Sequence, residues 1–209
     1  MLQRLLNQAE TVTWSALIIL LPVTSLPLLS RLAGGTMVAP PSAFLAILLV
    51  LIWLVPAVWR GQRLPEAVLP LLAFVGLALA VSLAAFFSPV PMFRDTPIWR
   101  SELEGFVTLG MGVCVFLAAA ALPQKPERFR WILRLINWSG SILLVWAILQ
   151  TVFWQTQRSF PAWMQTIQSW LTLNELYKGR ASGFAFEPSW LAHQLNMLYL
   201  PLWAAASFL

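Results

Sequence analysis

What most constrains this chain is a series of six apolar blocks, near Trp14–Ser30, Ser42–Trp59, Ala67–Phe87, Phe106–Leu122, Leu135–Trp154 and Ser189–Leu209, none of which contains Asp, Glu, Lys or Arg. At about 1.5 Å rise per residue, each is long enough to cross all or most of a hydrocarbon layer of roughly 30 Å. Backbone polar groups in lipid must be paired within the segment, and the blocks lack the dyad alternation of a barrel strand, so helices are the reading. Composition agrees. With 59% hydrophobic and 10% charged residues in 209, the chain has too little polar surface to cover a soluble globule. The expected fold is all-α: a polytopic transmembrane helix bundle of about six spans, forming one membrane domain over 1–209. The first block is read as a retained span, because Arg4 lies far from it, its apolar run is long, and "RLAGGTMVAPP" offers no convincing small-x-small cleavage site.

Lys and Arg in the connections set an orientation. A cytoplasmic N-terminus places Arg4, Arg60, Arg63, Lys125, Arg128, Arg130 and Arg134 inside, in short and strongly basic loops ("RGQR", "KPERFR"). Arg31, Arg94, Arg100, Arg158, Lys178 and Arg180 then fall outside, in longer loops mixed with Asp95, Glu102, Glu104, Glu175 and Glu187. The formal charge of +5 therefore reads mainly as a topology signal. Nucleic-acid binding would need a basic stripe in polar surroundings, and none is present. Trp14, Trp59, Trp99, Trp131, Trp154 and Trp190 fall near block ends, where amphipathic rings sit at headgroup level. Gly76, Ala80 and Ala84 at four-residue spacing, and Gly105, Gly110 and Gly112, read as helix-packing positions. Cys114 is the sole cysteine and reads as packing. One cysteine offers neither a disulfide within the chain nor a thiolate metal site, and no cofactor is predicted.

Two outer connections are long. "SPVPMFRDTPIWRSELEG" is expected to be an irregular loop whose Arg94, Asp95, Arg100, Glu102 and Glu104 pair among themselves. The second runs from Gln155 to Phe186. Within it, a helix is predicted from Pro161, suited to a first helical position, to Gly179, suited to a C-terminal cap, with Trp163, Ile167, Trp170, Leu171 and Asn174 on or beside one face. Such a short, weakly charged helix is expected to lie on the outer interface or to cap the bundle.

Lys178, Arg180, Gly183 and Glu187-Pro188 follow at once. Proline holds Glu187 out of helical conformation and is tolerated in a first turn, so the sixth helix is predicted to begin at Pro188 or Ser189. Its positive end and free N–H groups would meet Lys178 and Arg180, a candidate anion site at the outer surface. Ser189, His193 and Asn196 recur at i, i+4 and i+7, a polar stripe descending into the bilayer, where the default for such residues is function. The bland alternative stays open on the residues alone: snorkelling cations, a Glu187–Arg180 pair and a hydrogen-bonding His193.

The pattern Arg-x-x-Gly-x-x-x-Glu-Pro-Ser-x-x-Ala, here Arg180, Gly183, Glu187, Pro188, Ser189 and Ala192, at the external start of a helix in a Trp-rich polytopic chain, resembles the O-antigen ligase and O-antigen polymerase superfamily. The detailed match covers about Lys178 to Asn196. The resemblance implies a bacterial inner-membrane glycosyltransferase that takes a glycan from undecaprenyl pyrophosphate on the periplasmic face and transfers it to another glycan or to lipid A core, without a metal. It implies catalytic roles for Arg180, which with Lys178 would neutralise pyrophosphate, and for Glu187, which would orient or deprotonate the acceptor hydroxyl; Ser189, His193 and Asn196 would line the substrate path. Family members continue for several more spans, with a second large external loop. The chain therefore reads as the N-terminal portion of a longer enzyme or as a non-catalytic relative. A non-enzymatic subunit of lipid-linked polysaccharide export is the alternative of another class; the sparse polarity of the spans (Asn137, Gln150 and the Ser189–Asn196 stripe) disfavours a transporter.

Overall fold

A computed structural model of the protein describes residues 2–32, 34, 38–85, 98–121 and 126–207. Arg94, Asp95 and Lys125, and the C-terminal ends of three expected spans at Phe87, Leu122 and Leu209, lie outside these residues. The described chain is all-α, with no strand among its residues. Helices α1 (Leu2–Ile19), α2 (Pro27–Leu32), α3 (Pro41–Leu49), α4 (Val55–Trp59), α5 (Leu69–Ala85), α6 (Ile98–Ala121), α7 (Pro126–Gln157), α8 (Ala162–Leu171), α9 (Pro188–Gln194) and α10 (Leu200–Ser207) follow in order. Among the described residues, four helical stretches are long and apolar enough to cross a membrane: Pro41–Trp59, Glu66–Ala85, Trp99–Ala120 and Pro126–Gln157.

Prolines shape the departures from regular helix. Between α3 and α4 the helix widens to a π turn, Val50–Leu54, and between α9 and α10 to another, Leu195–Tyr199. Each lies just before a proline, Pro56 or Pro201, whose ring displaces the carbonyl four residues back, Ile52 or Met197. Both carbonyls sit inside the π turns. Pro70 likewise follows a tight 3-10 turn, Glu66–Val68, at the head of α5.

Two expected spans come out differently. Trp14–Ser30 is not one helix: α1 ends at Ile19, Pro22 and Pro27 prevent its continuation, and a buried connection leads into α2. Ser25 in that connection bridges to Ala39 and to Thr172. The sixth block is helical over 188–207, but His193, Gln194 and Asn196 keep it below the apolarity of the four membrane-length stretches. The first of the two long connections is shorter than expected, since α6 starts at Ile98. Arg100, Glu102 and Glu104 are helical, and Arg100 pairs with Glu104 one turn on, at 3.3 Å.

The chain divides into two compact units, the boundary falling within α3: Met1–Leu45 with Lys125–Leu209, and Ala46–Gln124. In the second unit, α6 packs against the Val50–Leu54 and Glu66–Val68 turns. No residue of α5 is buried, and Leu72, Phe74, Leu77, Val81 and Leu83 are exposed around it. A helix apolar on all sides is suited to lipid.

The first unit contains the segment singled out above. There α1 packs along α7 and α2 against α8, while α7, α9 and α10 meet the Leu195–Tyr199 turn. Trp14, expected at an interface, is instead buried with Leu17 and Ile18. Arg128 of α7 pairs with the buried Glu10 of α1 at 2.5 Å. Lipid tails are as apolar as leucine, so close packing and polar contacts must join such helices. Both occur: the Tyr199 ring occupies the space a Cβ at Gly140 would need, its hydroxyl lies 3.3 Å from that of Ser139, and Trp203 donates to Asn137 at 2.9 Å.

Candidate functional site

The Arg180–Ala192 segment is fixed to α7 by one amide. Gln150, almost wholly buried, accepts through Oε1 from the backbone N–H groups of Ser182 and Gly183, each at 3.0 Å, and donates through Nε2 to the Gly183 carbonyl at 3.1 Å. A side-chain amide thus satisfies three backbone groups of a turn that would otherwise be buried unpaired. Gln168 of α8 joins the cluster by accepting from Trp146 at 3.1 Å and from Gln150 at 3.3 Å, and by donating to the Ser182 hydroxyl at 3.5 Å. Gly183 is required twice over: its φ is +60°, and a Cβ there would stand 2.5 Å from Cδ1 of the buried Leu143.

Further clamps hold the two ends. Thr24 accepts from Phe186 N–H at 2.8 Å, and Asn174 donates to the Phe186 carbonyl at 3.0 Å and to the Tyr177 hydroxyl at 2.5 Å. Gln194 donates to the carbonyls of Leu21 and Pro22. Glu187 has extended backbone and Pro188 opens α9, at the predicted boundary.

Against this rigid turn, the residues with candidate roles sit as follows. Arg180 is exposed, and no hydrogen bond or ion pair engages its side chain among the described residues. Glu187 accepts from the Ser189 hydroxyl at 3.2 Å and is not ion-paired with Arg180. Ser189 and His193 line a cavity of about 670 Å³ with Thr24, Trp190, Gln194, Met197 and Leu198. Asn196 is not among them; it falls inside the π turn that starts at Leu195.

Lys178 lies elsewhere, in a cavity of about 710 Å³ that also holds Arg31 from the end of α2 and Arg158 just past α7. Trp154, Phe160, Ser169, Asn174 and Glu175 contribute to its wall. Neither Arg31 nor Arg158 was singled out by the sequence, since they are far apart along it and only the return of α8 onto α2 unites them. Gln150 and Gln168 were also missed as organisers. A lone glutamine in an apolar span was the available signal for Gln150.

The predicted outer helix starts almost where expected, with Pro161 in extended conformation and Ala162 as its first residue, but stops at Leu171 rather than Gly179. Thr172 is drawn into the bridge with Ser25, whose hydroxyl is 3.0 Å away, and Leu173 N–H donates to the Ser25 carbonyl at 3.2 Å. The helix's buried face is Met164 and Gln168, while Trp163 and Trp170 stay largely exposed. Trp163 nevertheless meets Trp146 and Phe153 edge-on, with centroids 6.0 Å apart in each case. Among the described residues there is no cluster of potential metal ligands. No protein-family model matches the chain, and comparison with curated proteins and with solved structures gave no match.

Proposed function

We propose that this membrane protein belongs to surface-polysaccharide assembly in a bacterial inner membrane, where it transfers or polymerises glycan carried on undecaprenyl pyrophosphate at the periplasmic face. One observation carries the reading: the Arg180-to-Ala192 stretch, with its resemblance to O-antigen ligases and polymerases, is a fixed turn on Gln150 that leaves Arg180 and Glu187 free of one another. Two groups neutralising each other would have little left for a substrate; two held apart can address different atoms. In the reaction, an acceptor hydroxyl oxygen bonds to the anomeric carbon as the bond from that carbon to the pyrophosphate oxygen breaks. The hydroxyl proton leaves toward Glu187, and the departing diphosphate gains negative charge beside Arg180. The cytoplasmic position of the N-terminus belongs to the same reading, supported by the density of Arg60 and Arg63, and of Arg128, Arg130 and Arg134, in the inner connections.

The test uses the full protein in cells, with lipid-linked glycan consumption measured beside membrane abundance. Losing a charge-assisted contact of about 2 kcal/mol slows transfer about thirtyfold. Arg180→Ala is expected to lose at least that much, Arg180→Lys to recover part of it because the ammonium lacks the planar fork, and Glu187→Gln to lose turnover at normal abundance. Full transfer by Arg180→Ala at normal abundance would remove Arg180 from the site.

A further inference from the structure

We infer that the cavity between α2, the end of α7 and α8 binds an acidic saccharide, a sugar unit bearing a carboxylate, as part of the glycan that the proposed reaction handles. The inference rests on that reading for its setting and on the cavity for its chemistry. Arg31, Arg158 and Lys178 reach the cavity from three separate segments, and the single carboxylate there is Glu175. None of the three cations forms an ion pair among the described residues. Three positive charges and a single carboxylate line the one cavity, so its net charge favours an anion.

Its walls are not those of a simple phosphate hole. Trp154 and Phe160 form a tilted pair with centroids 5.7 Å apart and lie in the same wall. Ring faces offer an apolar platform with a polar tip, matched to the C–H face of a pyranose. Ser169 and Asn174 supply hydroxyl and amide groups for sugar hydroxyls, and Glu175 can accept from them. About 710 Å³ lies within the range of roughly 300–1,000 Å³ typical of ligand sites, room for more than one small anion. The position also suits a glycan. Lys178 and Arg180 are two residues apart across the Gly179 turn, so their Cα atoms are at most about 7 Å apart, and a chain whose diphosphate meets Arg180 has its sugars beside the cavity.

Direct binding tests this without any transfer assay, so its outcome is separate from that of the catalytic reading. Purified protein in nanodiscs would be titrated with a labelled tetra-uronate, with a neutral glucose tetrasaccharide of equal length and with inorganic pyrophosphate. Uronate binding at least about tenfold tighter than the neutral sugar is expected. It should fall at least about tenfold in Arg31→Gln or Arg158→Gln, be recovered in part in Arg31→Lys and Arg158→Lys, which keep the charge but lose the planar fork, and weaken toward both sugars in Trp154→Ala. Equal affinity for neutral and acidic sugars, or unchanged uronate binding in the Gln variants, would overturn the proposal. Preference for pyrophosphate over uronate, lost in the same variants, would overturn it too and assign the cavity to a phosphate. Uronate binding by a protein that transfers no glycan would leave the cavity's assignment standing and defeat only the catalytic reading.

Discussion

Gln150 is the residue on which the Arg180–Glu187 segment depends. Replacing it by leucine removes one acceptor shared by Ser182 and Gly183 and one donor to the Gly183 carbonyl, inside a region where Ser182 is fully buried. A buried backbone group left without a partner costs about 1–3 kcal/mol, so Gln150→Leu should cost at least about 3 kcal/mol of stability, or allow the turn to open. Thermal unfolding in detergent, together with protease cleavage between Lys178 and Phe186, would register either result. An unchanged unfolding temperature with an uncut turn would mean that the amide organises nothing. The sequence signals such a residue but not its partner. A glutamine alone in an apolar span had to be doing something polar, yet the turn it holds lies some thirty residues later, and only folding brings the two together.

At the scale of elements, starts were more legible than stops. Pro161 and Pro188 fix where α8 and α9 begin, because their rings preset φ and forbid a hydrogen bond that a first turn does not make. The end of α8 could not be read the same way. Gly179 does adopt positive φ, +75°, as a capping glycine would, but in a separate turn; the helix had already ended where Thr172 meets Ser25, a contact spanning 147 residues of sequence. Long-range pairing overrode a local signal. The Ser25–Thr172 hydroxyl bond should therefore couple the two positions: Ser25→Ala and Thr172→Val are each expected to cost about 1 kcal/mol, and the double variant clearly less than the sum. Additive losses in the unfolding midpoint would show that no bond links the two hydroxyls. The polar stripe is only partly kept together: Ser189 and His193 share a cavity as spaced, while Asn196, inside the Leu195–Tyr199 π turn, does not line it.

For the whole molecule, hydropathy identified the class and most of the membrane-length helices, because a run of uncharged residues is a property of composition alone. It overcounted where composition and continuity part company. Trp14–Ser30 is apolar throughout yet cannot be one helix across Pro22 and Pro27, and its tryptophan lies in the core rather than at an interface. The candidate site was legible as a segment but not as a place. Arg180, Glu187 and Ser189 were singled out within one continuous segment, whereas the cationic cavity draws Arg31, Arg158 and Lys178 from three stretches that no local motif connects. The central claim, that this chain's Arg180 turn serves glycan transfer and not mere retention of a lipid phosphate, is tested most directly by following free undecaprenyl pyrophosphate. The full protein, reconstituted in vesicles with undecaprenyl-pyrophosphate-linked glycan and an acceptor glycan, should release one undecaprenyl pyrophosphate for each glycan joined to the acceptor, and Arg180→Ala should suppress both. Tight binding of the lipid-linked glycan with no release, in wild type and variant alike, would contradict transfer and favour a non-catalytic export subunit.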